Sequence, residues 1–353
     1  MGAATGAGPV IRAEWQSLNS EATEAVAAEN VGRPPARGAS WAKWALRVAL
    51  SAVILLFLAR YLYLSWRDAA AYGWHLRPGP LALSMVVLLI AQTLLAVCWH
   101  LLFTVLGAPV SLRASCRGLL LGQLAKYVPG KLLTLLVRVH LMKQAGAREE
   151  TTMVAQIIEA TALCVSAVLV GAGCAIASPQ LFAHQGFRAL FYVIPLGLLV
   201  MHPLVLQRPV EFAARKLRRP KVELRASYVG LLGITICYAA VWIAFGIGLY
   251  CLSAGVSAAP GAVSGYVGAF ALAWVAGFVS FLTPGGLGVR EAALAALLRP
   301  QLGAAPAVAL ALLSRLWSTV GEIICAAAVS NLNISPFIPP DPQRDDGDTD
   351  PNR

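Results

Sequence analysis

Long apolar runs alternate with short polar connections along this chain. Six of them, at roughly 43–64, 80–106, 151–176, 187–206, 227–253 and 304–330, are long enough to cross a bilayer, which takes about 20 predominantly apolar residues. Two further apolar stretches are broken: 116–142 at Pro129-Gly130, and 262–298 at "TPGGLG", Thr283 to Gly288. The pattern predicts an all-α polytopic membrane protein. It would have about six spanning helices plus two broken or re-entrant helical hairpins arranged as an inverted repeat.

Composition agrees. The 353 residues are 58% hydrophobic and 13% charged, whereas a soluble domain carries about a quarter charged residues. Residues 1–40 are polar and rich in Ala, Gly and Pro, with both Arg and Glu and no apolar core preceded by positive charge. They read as a disordered cytosolic tail rather than a cleaved signal peptide. Residues 332–353 are acidic and Pro-rich and read as a second disordered tail. A transmembrane domain is left at 41–331, with repeat halves at about 41–176 and 187–331.

The net charge of +11 reads as cytosolic loops facing anionic lipid, and nucleic acid is not expected as a partner. The stretch from Gln207 to Arg225 holds seven Lys/Arg against two Glu. It is expected in the cytosol, its helical part lying on anionic phospholipid. Lys43 and Arg47 place the N-terminus on the same side. Counting crossings from these anchors, 116–142 starts and ends inside and 262–298 starts and ends outside. The 304–330 span then returns the C-terminus to the cytosol. Each half becomes span, span, broken hairpin, span, in opposite orientation. Gly/Pro-interrupted segments at matching places in two halves are a pointer to a transporter-type site.

Pro lacks an amide hydrogen and Gly tolerates conformations that other residues avoid. Together they end a helix inside the membrane. The freed backbone groups cannot be satisfied by hydrocarbon, so such a break lines a cavity or is buried in protein. A helix restarting after the break turns its partly positive end to that cavity, which suits an anion such as phosphate. A single break would be an ordinary kink; two at matching positions, each beside charge, favour a cavity.

Charges in or near the apolar segments mark the candidate residues. A charge at mid-membrane costs roughly 2.5–3.5 kcal/mol on insertion scales, so such residues usually face a polar interior. Arg138 and Arg290 are the candidate phosphate ligands, their guanidinium groups being planar and multi-donor. Lys131 shares that part in the first half, and Tyr127 and Gln123 supply hydroxyl and amide contacts. Glu291 suits a helix start electrostatically or carries a proton. Glu159 lies 30 residues after Pro129 and Arg315 lies 31 after Pro284. This near-equivalence, with opposite charge, leads to the expectation that the two approach each other near the midplane. Glu322, seven residues after Arg315, shares its helix face. Whether these charges only glue the halves together or act in gating and substrate binding is open at this stage. Lys126 and Lys143 are expected to snorkel to the cytosolic interface. No metal or cofactor is expected. The seven cysteines form no C-x-x-C pair, the histidines are scattered, and no nucleotide loop or hydrolase motif is present.

"YVPGK…R" from Tyr127 to Arg138, Glu159, "TPGGLGVRE" from Thr283 to Glu291, and Arg315 together resemble the lysylphosphatidylglycerol synthase transmembrane region family, a flippase-like domain. The resemblance covers roughly 41–331 and includes no aminoacyl transferase domain, so it does not imply lysyl-lipid synthesis. It implies an integral protein of the bacterial cytoplasmic membrane, and the crossing count places both termini in the cytosol. The breaks themselves, Pro129, Gly130, Lys131, Pro284, Gly285, Gly286 and Gly288, are expected to form a substrate site with the charged residues. The sequence departs from the family pattern at Leu132, Leu133 and Thr134 after the first break and at Ala160 after Glu159. The leading expectation is a non-enzymatic lipid translocase that moves an anionic or lipid-linked headgroup. The alternative is a non-transporting membrane partner of a glycosyltransferase or lipid-modifying enzyme.

Overall fold

The computed structural model describes residues 76–108, 110–127, 133–177, 189–216, 226–256, 261–280 and 288–330. The expected span at 43–64, both tails, the basic stretch 217–225 and the centres of the two breaks, 128–132 and 281–287, lie outside the described residues.

Among the described residues the chain forms ten α-helices and no strand. They are α1 (Pro78–Val105), α2 (Leu112–Leu124), α3 (Leu133–Gln144), α4 (Glu149–Ala177) and α5 (Ala189–Val200), then α6 (Pro203–Lys216), α7 (Tyr228–Val256), α8 (Val263–Val279), α9 (Val289–Leu302) and α10 (Ala304–Ser330). A 3₁₀ turn, Ala125–Tyr127, follows α2. The chain is a polytopic membrane protein.

Four helices, α1, α4, α7 and α10, are long and apolar enough to cross a membrane, with mean hydropathies of 2.5, 2.1, 2.0 and 1.5 over their most apolar windows. At 1.5 Å per residue, 27–29 residues reach about 40 Å, beyond the roughly 30 Å of the hydrocarbon layer. The lowest value belongs to α10, which carries Arg315 and Glu322. These helices turn apolar side chains outward: Leu83, Val86 and Ile90 on α1, and Leu316, Ile323 and Ile324 on α10. Their inner faces hold small, polar and aromatic residues, among them Ser84, Ala91, Gln92 and Trp99 on α1. Lipid accepts the outer stripe. Close packing of small residues and hydrogen bonds hold the inner one.

Local sequence explains the helix ends. Pro78 and Pro80 open α1, where a missing amide hydrogen costs nothing. Ser111 caps α2, its hydroxyl accepting from the Ala114 N–H at 3.2 Å. Gly288 (φ 83°) and Gly303 (φ 81°) occupy the left-handed region ahead of α9 and α10, where other residues are strained.

The expected single span at 187–206 is corrected. Its described part is α5, which ends at Val200; a turn at Met201-His202 follows, and Pro203 opens α6. Proline disfavours the helical region for the residue before it, so His202-Pro203 divides the run. Helix α6 is seated by Leu206 and Val210, both buried, while Leu204 and Phe212 stay exposed.

The other eight helices form two similar units, α1–α4 and α7–α10, each reading long, short, short, long. The partners exchange between units: α2 packs on α10 and α8 on α4; α4 packs on α7 and α10 on α1. The two first helices meet along their whole length. Val105 of α1 lies against Gly230 of α7, Val87 against Gly248 and Leu81 against Gly255. One number rises as the other falls, so α1 and α7 run antiparallel. At the end of this seam the Arg77 N–H donates to the Gly255 carbonyl at 2.9 Å.

Candidate functional site

The short helices and the long ones enclose a cavity of about 160 Å³ between the two units. Its charged lining comes from the first unit, α10 and Arg290 of α9. Arg138 on α3 donates through Nη1 to Glu159 Oε2 of α4 at 2.5 Å and to Gln156 Oε1 at 2.8 Å. The Gln156 amide completes the triangle, donating to Glu159 Oε2 at 3.1 Å. Arg138 and Glu159 are 5% and 2% exposed. Lys126, in the 3₁₀ turn just before the first break, donates to Glu322 of α10 at 2.5 Å. Gln92, Gln123 and Ser318 add neutral polar groups to the lining.

The aromatic part of the lining comes from α7 and α8. Trp242 and Phe245 of α7 face Phe270, Trp274 and Phe278 of α8. Phe245 and Phe270 stack with centroids 5.4 Å apart, and Trp274 stacks on Phe278 at 5.1 Å. Such ring pairs contribute beyond their buried area. Trp242 is fixed by donating Nε1–H to the Leu163 carbonyl at 3.1 Å and to the Ser166 hydroxyl at 3.0 Å. The wall is thereby tied to α4, which carries Glu159 on the polar side.

The two arginines expected to match do match in their seating. A Cβ on Gly122 of α2 would overlap the Arg138 side chain, and a Cβ on Gly277 of α8 would come within 2.9 Å of the Arg290 Cβ. In each broken hairpin a glycine on the first short helix makes room for the arginine of the second. Each guanidinium then lies over an aromatic ring, Arg138 over Trp99 at 5.2 Å and Arg290 over Phe270 at 4.9 Å.

Glu291 behaves as a helix-start residue: its Oε2 accepts from the Gly288 N–H at 2.8 Å. Its Oε1 faces Arg315 Nη1 at 3.6 Å. The expected approach of Glu159 to Arg315 is therefore corrected. Each pairs within its own unit, Glu159 with Arg138 and Arg315 with Glu291, because α3 and α9 each lay an opposite charge against the long helix that follows. The expectation for Lys126 is corrected too. It does not snorkel away but turns to Glu322 in the cavity lining. Lys143 does sit at the surface, paired with Glu149 at 2.7 Å.

Tyr127 closes the 3₁₀ turn. Pro129, Gly130, Lys131, Pro284, Gly285 and Gly286 lie outside the described residues, which reach the rims of both breaks at Tyr127 and Gly288. Sequence reasoning missed Gln92, Gln156 and the aromatic wall. A signal for the wall existed: Phe270, Trp274 and Phe278 recur every fourth residue, one face of a helix.

Among the described residues, Lys126, Arg138, Arg290 and Arg315 stand with Glu159, Glu291 and Glu322 in and around the cavity. Intramembrane charges of this kind pair with one another and face a polar interior. Comparison with curated proteins returns no match. Comparison with known families matches residues 44–325, nearly the whole membrane region, to the lysylphosphatidylglycerol synthase TM region. The chain belongs to that family.

Proposed function

We propose that this protein is a lipid translocase of the bacterial cytoplasmic membrane, with both termini in the cytosol, and not an enzyme. It moves an anionic or lipid-linked headgroup between leaflets through the cavity between the two units. The observation that carries this reading is the cavity itself, whose lining joins Lys126, Arg138, Arg290, Glu159 and Glu322 to a set of aromatic rings. Arg138 and Arg290 contact the anion, held by their glycine seats and ring faces. The antiparallel α1–α7 seam supplies the fixed axis about which one unit rocks against the other. Membership of a membrane-embedded lipid family supports the substrate class.

Mass spectrometry of lipids that co-purify with wild type and with Arg290→Ala tests the reading. One minor anionic lipid enriched in wild type and lost from the folded variant is the expected result. Bulk phospholipid in membrane proportions from both proteins sinks it.

A second reading rests on α6. Its exposed Leu204 and Phe212 lie near the exposed Arg208 and Arg215, and the helix runs toward the basic stretch. This surface suits anionic phospholipid headgroups or a glycosyltransferase or lipid-modifying enzyme docked at the membrane. On that reading the protein is a scaffold, and intramembrane charge variants that fold retain full function.

A further inference from the structure

We infer that the span expected at 43–64 docks on the outer face of α10, in the place that α5 holds on α4. The occupant of that face is then a segment of this same chain. The two units exchange partners: α7 packs on α4, and α1 packs on α10. Helix α5, from the apolar run ahead of α7, also packs on α4. The span ahead of α1 is its counterpart, so the equivalent place lies on α10. The family match begins at residue 44 and so takes this span into the same domain.

The register carries over from one unit to the other. Gly122 and Gly277 are the two glycine seats, Pro129 and Pro284 the two breaks, and Glu149 and Ala304 the first residues of α4 and α10. Each pair stands 155 residues apart. On α4 the face that meets α5 is made by Thr161, Cys164, Val165, Val168 and Leu169. None of these five is exposed. Gly197 of α5 sits so close that an added Cβ would come within 3.1 Å of Val165. The same step of 155 lands on Leu316, Thr319, Val320, Ile323 and Ile324 of α10. Four of these five are exposed, Leu316 to 62% and Ile323 to 53%. Among the described residues no helix seals this face.

The sequence of the span fits it. Ala45, Ala49, Ala52 and Leu56 follow at steps of four, three and four, the spacing of one helix face. Leu316, Val320, Ile323 and Ala327 follow at the same steps on α10, and all four are exposed. By the crossing count the span leaves the cytosol and α10 returns to it, so the two run antiparallel. Ala52 then meets Val320, Ala49 meets Ile323 and Leu56 meets Leu316. Small residues on one helix receive larger ones on the other, which lets helices approach closely in lipid. Gly197 against Val165 is the same arrangement in the other unit. Leu88 of α1 lies against Gly321, the neighbour of Val320, so a span docked here lies beside the helix it leads into.

The test is cysteine cross-linking of the full chain in membranes with copper-phenanthroline, the joined peptides being identified by mass spectrometry. Ala52→Cys/Val320→Cys and Ala49→Cys/Ile323→Cys are each expected to form a disulfide within one chain in most molecules. Ala52→Cys/Leu196→Cys, which puts the second thiol on α5 in the other unit, is expected to form none. A bifunctional maleimide repeats the measurement at longer reach, so that a small shift of register does not decide it. Disulfides between two copies from Val320→Cys alone would assign the face to a second chain. No cross-link from either α10 pair with both reagents would leave the face to lipid, and a cross-link from the α5 pair would put the span elsewhere. Each of these three results overturns the inference.

Discussion

Arg138 and Glu159 form a buried ion pair at 2.5 Å, and Glu291 with Arg315 repeats it in the second unit at 3.6 Å with the signs exchanged. The base stands on the short helix in the first unit and on the long helix in the second. The pairs differ in setting. The first is sealed and shares Gln156, whereas the Arg315 side chain is 21% exposed. Removing one partner of a buried pair leaves an uncompensated charge, which costs about 3–5 kcal/mol. Arg138→Ala and Glu159→Ala are each expected to destabilise the protein by that order in detergent unfolding experiments. Arg138→Met/Glu159→Leu, which removes both charges, should lie much closer to wild type. Substitutions at Glu291 or Arg315 should cost less.

The glycine seats give a second prediction. Gly122→Ala and Gly277→Ala press a methyl group into Arg138 and Arg290. Overpacking of this kind costs typically 1–3 kcal/mol, and here it also displaces the guanidinium proposed to contact the anion. Both variants are expected to lose lipid selectivity as well as stability. Gly233→Ala on α7 and Gly173→Ala on α4, where an added Cβ meets nothing within 4 Å, serve as controls. They should retain selectivity, as measured by lipid co-purification.

Antiparallel packing of α1 on α7 brings Cys98 and Cys237 next to each other across the seam. This register follows that of the glycine contacts on either side. A mild thiol oxidant should remove these two thiols together, read as the loss of two alkylation sites in mass spectrometry, and Cys98→Ala should abolish the effect. Independent alkylation of the two thiols after oxidation would contradict the register of the seam.

Lys126 and Glu322 join the rim of the first break to the last long helix, so their ion pair ties one unit to the other. Lys126→Ala and Glu322→Ala are each expected to lower lipid movement and to increase protease access to the 125–133 region. The exchange Lys126→Glu/Glu322→Lys should recover a substantial part of both. Failure of the exchange, with both singles impaired, would place the importance of the residues in their separate environments.

The four long helices were legible in the sequence because hydropathy over some 27–29 residues leaves no soluble alternative. The broken hairpins were legible because Pro-Gly and Pro-Gly-Gly interrupt apolar runs at matching places. Formal charge was legible in position but not in pairing. Glu159 and Arg315 occupy equivalent places, and equivalence under an exchange of halves suggested that they meet. The short helices α3 and α9 instead bring Arg138 and Glu291 against them first, and their packing angles are not written in the spacing of residues. Gln92 escaped notice because one neutral amide hardly alters the hydropathy of α1. The division at His202-Pro203 was visible as a proline but submerged in a run of apolar neighbours.

The central claim is that an anionic lipid crosses the membrane through the cavity between the two units. The most direct measurement is the rate at which headgroup-labelled anionic phospholipid exchanges between leaflets of proteoliposomes containing the purified protein. Wild type, Arg290→Ala and Gly233→Ala should be compared at equal incorporation. The account predicts rapid exchange with wild type and Gly233→Ala and a loss of at least tenfold with folded Arg290→Ala, the effect of about 1.4 kcal/mol at the binding step. Exchange by wild type no faster than in protein-free vesicles, or unchanged by Arg290→Ala, would contradict it.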